Sequence, residues 1–343
     1  CLFGCNGLII PFVSHFIYCF FLFSVSWLEE VSFLSGKACI FPTRRKSTKK
    51  YGNRGRLCGK TLRKTFSCEH ESSTFDLYYL CFPKNFERDM LTFISCAKTM
   101  ASRCSLDVPE MTVPHFEAEA VRNVLEMSQM PVAELEKLLR VNAKIAAENR
   151  LRFHDFCSEN NRPMPAIGAY TGAVFKRILP KDFTADDFRY AQEHLRITSF
   201  LYGLLRPLDG IKPYRLEGDV CLPEKGGVSM FDYWKPLLTD CFIAEIKRQG
   251  GVLVNLASGE MKDLFDWKRV EKEVRVVTPE FRIWKDGGLK TVVIYAKMCR
   301  GEMVRYIIKE RVDSPEGLRG FSWEGFAFDE KRSTDDHLLF TPG

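Results

Sequence analysis

From Met90 onward, short apolar runs alternate with longer stretches in which apolar residues recur every three or four positions. A period of two or a short unbroken apolar run points to strands, and the longer period to helices. Leu91–Ser95 (LTFIS) reads as a buried strand at the start of the domain. Pro114–Met130 reads as one helix. Pro131–Phe156 reads as another, with Leu135, Leu138, Leu139 and Ile145 on one face. Pro165–Phe175 is short, apolar and glycine-punctuated, so a strand or a loop. Thr184-Ala-Asp-Asp187 has the form of a capping box opening a helix to about Arg196. Phe231–Gln249 reads as an amphipathic helix closed by Gly250-Gly251, and VLVNLAS follows as a buried strand. Val274–Thr278 and Phe281–Trp284 are strand-like. KDGGLK supplies hairpin turn chemistry leading into Thr291–Ala296 as a strand, and Glu302–Arg311 reads as a last helix. Strands and helices mix without strict alternation, which predicts a single α+β domain, a mixed central β-sheet flanked by helices.

The first 89 residues differ. They contain no methionine, whereas all ten methionines lie from Met90 on. Leu8–Leu28 is apolar and long enough to span a bilayer, and a basic stretch follows. The expectation is an over-extended reading frame, with a signal peptide, a membrane anchor or a disordered leader as the alternatives. Residues 90–343 are expected to form the folded body without stable membrane association.

Charge narrows the possible partners. The net +6 lies wholly in residues 1–89, with 13 Lys+Arg against 7 Asp+Glu; residues 90–343 carry 37 of each. Any nucleic-acid role must therefore rest on a local patch. The six cysteines after Met90 are scattered and form no CxxC pair, which argues against a zinc site or a disulfide framework. No GxGxxG, P-loop, HExxH or GxSxG is present, so the common nucleotide, zinc-protease and hydrolase classes lose support. Neither a cofactor nor a metal ion is expected.

Cations recur where strands end. Lys98 follows Leu91–Ser95, Lys297 follows the expected strand Thr291–Ala296, and Arg300 comes three residues later. Converging on one face, they would suit phosphate; alternatively each is a solvated terminus. Thr198–Glu217 (TSFLYGLLRPLDGIKPYRLE) resembles a helix leading into a glycine-containing hairpin, the form of a helix-hairpin-helix. Arg206, Lys212, Tyr214 and Arg215 would then face DNA. The structural alternative is a loop stapled by Arg206–Asp209 and Arg215–Glu217 pairs. Gly320–Ser333 is aromatic-rich and carries Glu324, Asp329 and Glu330, as acid/base groups or as a sheet-edge plug. His154, beside Asp155, reads as structural. Ser95 and Cys96 beside Lys98 suggest a nucleophile or, more simply, a packed strand-end thiol.

Six blocks in order then carry a resemblance: ISCAKTM, ENRLRFHDF, LYGLLRPLDGIKPYRLE, VNLASGE, YAKMCRGEMVRYIIKER and GFSWEGFAFDE. The body resembles the YaaA family of bacterial peroxide-stress proteins. This resemblance implies a cytoplasmic protein with an unusual mixed α/β fold. It also implies binding to double-stranded DNA, damaged or distorted duplex included, through a basic cleft and a helix-hairpin-helix-like element. Protection of DNA is expected to include a lowering of available iron. A monomer is expected. Cys96 stands where the family pattern SPAKT has proline, and Gly259 where an acidic residue is usual, with Glu260 next. The DNA-facing set would be Lys98, Arg206, Lys212, Tyr214, Arg215, Lys297 and Arg300. The alternative is an enzyme acting on a nucleobase or nucleotide, of the lysine-dependent glycosylase/lyase type. Lys98 or Lys297 would be its nucleophile and Glu217, Glu324 or Asp329 its acid or base.

Overall fold

The computed structural model describes residues 89–343. The expectations for residues 1–88, including the apolar run 8–28, lie outside the described residues. Among these, no helix is long and apolar enough to cross a membrane.

The strands are β1 (Leu91–Ile94), β2 (Met164–Pro165), β3 (Leu195–Ser199), β4 (Gly203–Leu205), β5 (Gly210–Ile211), β6 (Val252–Asn255), β7 (Arg275–Phe281), β8 (Ile283–Lys285), β9 (Gly288–Lys290), β10 (Ser322–Trp323), β11 (Phe326–Phe328) and β12 (His337–Pro342). Eight of them form one sheet in the order β10-β11-β12-β7-β6-β1-β3-β4. Its centre, β12-β7-β6-β1-β3, is parallel, and antiparallel pairs close both edges. The sheet is therefore mixed, as expected. Every residue of β1 and β3 is buried, because central parallel strands are covered on both faces.

The helices are α1 (Glu117–Gln129), α2 (Val132–Leu139), α3 (Ala143–His154), α4 (Ala166–Ala169), α5 (Ala173–Ile178), α6 (Ala185–His194), α7 (Met230–Arg248), α8 (Trp267–Glu273), α9 (Val293–Glu310) and α10 (Pro315–Leu318). The expected single helix 131–156 is two. Arg140 ends α2 in the left-handed region at φ 50°, and the Asn142 side chain restarts the helix by accepting from the Ile145 amide at 2.9 Å. Asparagine is a strong N-cap for this reason, and helical apolar spacing on either side hid the break. Residues 165–175 hold the end of β2 and two short helices instead of a strand or a plain loop.

Two further expectations change. The KDGGLK turn does form a hairpin, with Asp286 at φ 50° and Gly287 at 76°, as a primed turn requires. Its return strand is β9, however, and residues 293–296 already belong to α9. The β-branched run suggested a strand, but Ala296, Cys299, Met303, Val304, Ile307 and Ile308 are the buried positions, a helical spacing. Lys297 and Arg300 thus sit on a helix. The helix-hairpin-helix expected in residues 198–217 is also absent. That stretch ends β3, turns, forms β4 and reaches β5. Ser199 Oγ accepts from the amide of Tyr202 at 2.9 Å, and Asp209 Oδ2 from that of Arg206 at 2.8 Å. Side-chain capping of tight turns competes with helix here. Gly320–Ser333 contributes β10 and β11 at the sheet edge, in line with the plug reading.

Two contacts brace the helices behind the sheet. The α6 capping box is present: the Thr184 amide donates to Asp187 Oδ2 at 2.9 Å and the Asp187 amide to Thr184 Oγ1 at 3.2 Å. The Asp187 carboxylate, buried, also pairs with Lys309 at 2.7 Å and Arg311 at 2.8 Å. Second, α9 crosses α5 at Gly301, where an added Cβ would lie 2.3 Å from the Val174 carbonyl oxygen.

Both contacts can be tested by denaturation. Gly301→Ala should destabilise the fold by about 1–3 kcal/mol, because the obstacle is backbone. Burial alone would push the Asp187 carboxyl up, but Lys309, the Thr184 amide and Arg311 overcome it and hold it below its ordinary 3.8. A depressed folded-state value means stability that is full above pH 3.8 and lost as pH falls through the folded value. Asp187→Ala should cost about 3 kcal/mol at pH 7. Urea titrations at pH 7 and pH 3 should show the gap to wild type narrowing at the lower pH.

Candidate functional site

A cavity of about 550 Å³ opens at the carboxyl ends of β1 and β6. The chain leaves β1 toward β3 on one side and later continues from β6 toward β7 on the other. The crevice between β1 and β6 is therefore a topological switch point, where open α/β sheets place their ligands. Its floor is tied across the two strands. Ser95 Oγ and Ser258 Oγ lie 3.0 Å apart, and the Ser258 amide donates to Ser95 Oγ at 2.8 Å. The Cys96 amide donates to Thr198 Oγ1 on β3 at 3.2 Å, and Ser258 Oγ donates to Glu260 at 3.2 Å.

Four of the expected DNA-facing cations line this cavity: Lys98, Arg215, Lys297 and Arg300. They are not equivalent. Glu217 bridges two of them, taking Lys98 directly and Arg215 at 2.8 Å. Lys297 and Arg300 project from the first turns of α9 and have no ion-pair partner among the described residues. Arg300 is half-buried and its Nε is shielded from solvent with no hydrogen-bond partner. Burial pushes its guanidinium below the ordinary value. A desolvated, unpaired cation is costly, and a bound anion would relieve that cost.

Tyr214 also lines the cavity, though its ring is buried. Its hydroxyl sits between Tyr170 at 2.8 Å and Ser199 at 2.7 Å, and burial holds both phenols neutral, well above their ordinary value. It therefore builds the wall and is not free to stack on a base. Arg206, Lys212 and Glu324 lie outside the cavity. The Arg206 guanidinium donates to Asp209, which is 1% exposed, at 3.0 Å. The Lys212 ammonium donates to the Phe156 carbonyl and lies over the Phe156 ring. Arg206–Asp209 and the Arg215–Glu217 pair are the two staples of the structural alternative. Glu324 occupies the exposed β10–β11 turn at φ 47°. Asp329, the other carboxylate of that stretch, pairs with Arg332 at 2.7 Å. His154 is exposed beside Asp155 at 3.2 Å.

The cavity also has an aromatic part that the sequence reading missed. Phe200, after β3, and Phe231, in the first turn of α7, meet edge to face at 5.3 Å. Gly218 lets both rings approach: a Cβ there would lie 2.3 Å from Phe231 and 2.6 Å from Phe200. The signal that was available is the serine ending each apolar run, FIS and NLAS, which marks two strand ends on one side of the sheet. Nothing local ties Phe200 to Phe231.

Comparison with known proteins places the described residues in one family. A family profile described as peroxide stress protein YaaA matches residues 90–332. A UPF0246 protein of Phocaeicola vulgatus is 66% identical over 252 residues, covering 74% of this chain and 99% of that protein. One from Bacteroides fragilis is 61% identical over 254 residues, with the same coverage. One from Porphyromonas gingivalis is 47% identical over 253 residues, covering 73% of this chain and 99% of its own.

Cys96, in the cavity wall, tests the description of the site. Burial pushes its thiol up to about 12, so little thiolate exists at neutral pH and nucleophilic reactivity is suppressed. At pH 7.5 a thiol reagent should label the exposed Cys157 and Cys221 well before Cys96, as read by peptide mass spectrometry. Labelling of Cys96 at the rate of the exposed pair would contradict a packed wall thiol.

Proposed function

Because the chain belongs to the YaaA family of peroxide stress proteins, we propose that it protects DNA by binding it through the cationic cavity mouth. The observation that carries this reading is the pair Lys297 and Arg300, two cations without carboxylate partners at the carboxyl end of the sheet. Backbone phosphates supply sequence-independent affinity to such groups. Lys98 and Arg215 add charge on the same cavity, moderated by Glu217. A second support comes from α2 and α3, two helices joined by the short turn 140–142. Arg140 in that turn pairs with Asp219 of the cavity lining, and the first amides of α3, ahead of the Ile145 amide that Asn142 caps, are of the kind that receive a phosphate.

Bound protein shields DNA from iron-driven radicals in the cytoplasm, and we take the acting form to be a monomer. Among the described residues no group of three or more His, Cys, Asp or Glu side chains is placed to hold a metal, so a lowering of iron is proposed to be indirect. The lysine-dependent enzyme reading draws no support from Lys98. A Schiff-base lysine needs a desolvated amine, whereas the Lys98 side chain is 67% exposed and ion-paired.

Fluorescence anisotropy with duplex DNA across a salt series tests the proposal. Affinity should fall log-linearly with salt, and Lys297→Ala and Arg300→Ala should each lower the slope by about one. Lys212→Ala, held by internal partners, should leave the slope unchanged. No binding at low salt, or an unchanged slope in the two α9 variants, would sink the reading.

A further inference from the structure

The cavity is too small for the double helix whose phosphates its mouth is proposed to grip. At about 550 Å³ it lies within the roughly 300–1,000 Å³ of pockets that enclose a single small organic ligand. Its chemistry is also richer than phosphate requires. Beside Lys297 and Arg300 stands the exposed carboxylate of Glu260, which would repel a bare anion, while Glu217 is already taken up by Lys98 and Arg215. Carboxylates accept from the exocyclic amino groups of nucleobases, as Glu and Asp do from cytosine N4. Half-buried Phe231, backed edge to face by the buried Phe200, supplies an apolar aromatic surface of the kind on which bases stack. An anionic end, N–H donors and a flat apolar face together describe one nucleotide.

We propose that the switch-point cavity receives a single nucleotide, with its phosphate on Lys297 and Arg300 and its base against Phe231 beside the Glu260 carboxylate. This rests on the DNA-binding reading for the source of the nucleotide, an unpaired or extruded residue of the bound strand. The same chemistry would accept a free nucleoside 5′-monophosphate. Leaving the stack costs a few kcal/mol, least for a base that is already unpaired, so DNA with an unpaired nucleotide is the preferred form.

The rim provides what an extruded base leaves behind. Val293 and Ile294 are 64% and 53% exposed. They precede Lys297 by four and three positions on α9, which puts them on its face of the helix. Proteins that open the stack insert apolar side chains of this type between base steps.

The test uses the full-length protein and a duplex carrying 2-aminopurine at one unpaired position, read by anisotropy and by 2-aminopurine emission. Binding should raise emission severalfold, and nucleoside 5′-monophosphate should suppress the rise. Arg300→Gln should weaken that competition about tenfold, the worth of one charge-assisted hydrogen bond. Ile294→Ser, an exposed change that leaves folding intact, should lower the emission rise on a fully paired probe without altering the salt slope. DNA binding with duplex-like emission and no competition would overturn the nucleotide site and leave the DNA reading standing. Binding of the monophosphate in equilibrium dialysis without DNA binding would support the site and overturn its DNA source. Binding of neither would overturn both.

Discussion

The cavity hangs from the parallel register of β1 between β3 and β6. Pairing of Thr92 with Leu195 on one side and Val254 on the other sets where three chains leave the sheet. The Leu256 amide reaches the Phe93 carbonyl at 3.1 Å, and beyond it the ladder continues through side chains, Ser258 to Ser95 and Cys96 to Thr198. A slip of one residue would turn Phe93 and its neighbours to the opposite face, and would separate Ser95 from Ser258. Because β1 is buried on both faces, that register has little freedom. Ser95 and Cys96 are therefore held as rigidly as the core, while Lys98, four residues past the strand, reaches solvent.

The two unpaired cations depend on a different constraint. They ride on α9, whose separation from α5 is set by Gly301. The same helix ends at Lys309 and Arg311, the partners of Asp187. One end of α9 is thus fixed by a buried ion-pair network, and the other carries two cations with no ion-pair partner among the described residues. Proteins satisfy buried polar groups as a rule, and departures concentrate where function needs them. Arg300, with no ion-pair partner among the described residues, contrasts with Arg206, which is fully paired.

Charge balance has meaning here only locally. Residues 90–343 are formally neutral, yet Glu217 pairs with Lys98 and Arg215 while Lys297 and Arg300, on the same cavity, have no ion-pair partner among the described residues. Bulk charge would predict no affinity for an anion; the arrangement of pairs predicts it. The mixture of free cations, carboxylates and aromatic rings favours a ligand with distinct ends over a simple ion.

Local sequence determined much of this protein: the buried strands β1 and β6, the capping box at Thr184, the helix closed by Gly250, the primed turn at Asp286-Gly287 and the mixed sheet. Each is set by short-range periodicity or by one residue's backbone preference. Lys98 at a strand end was legible for the same reason. Tertiary structure decided the rest. Residues 293–296 satisfy strand propensity, and only packing of Ala296, Cys299 and Met303 against the core makes them helical. Residues 198–217 carry helix-like apolar spacing, and only the side-chain caps of Ser199 and Asp209 turn them into strands and tight turns. Which cations meet is likewise a long-range fact. Lys98, Arg215 and Lys297 lie about a hundred residues apart in succession, and the crossovers between parallel strands, not the spacing along the chain, bring them to one cavity.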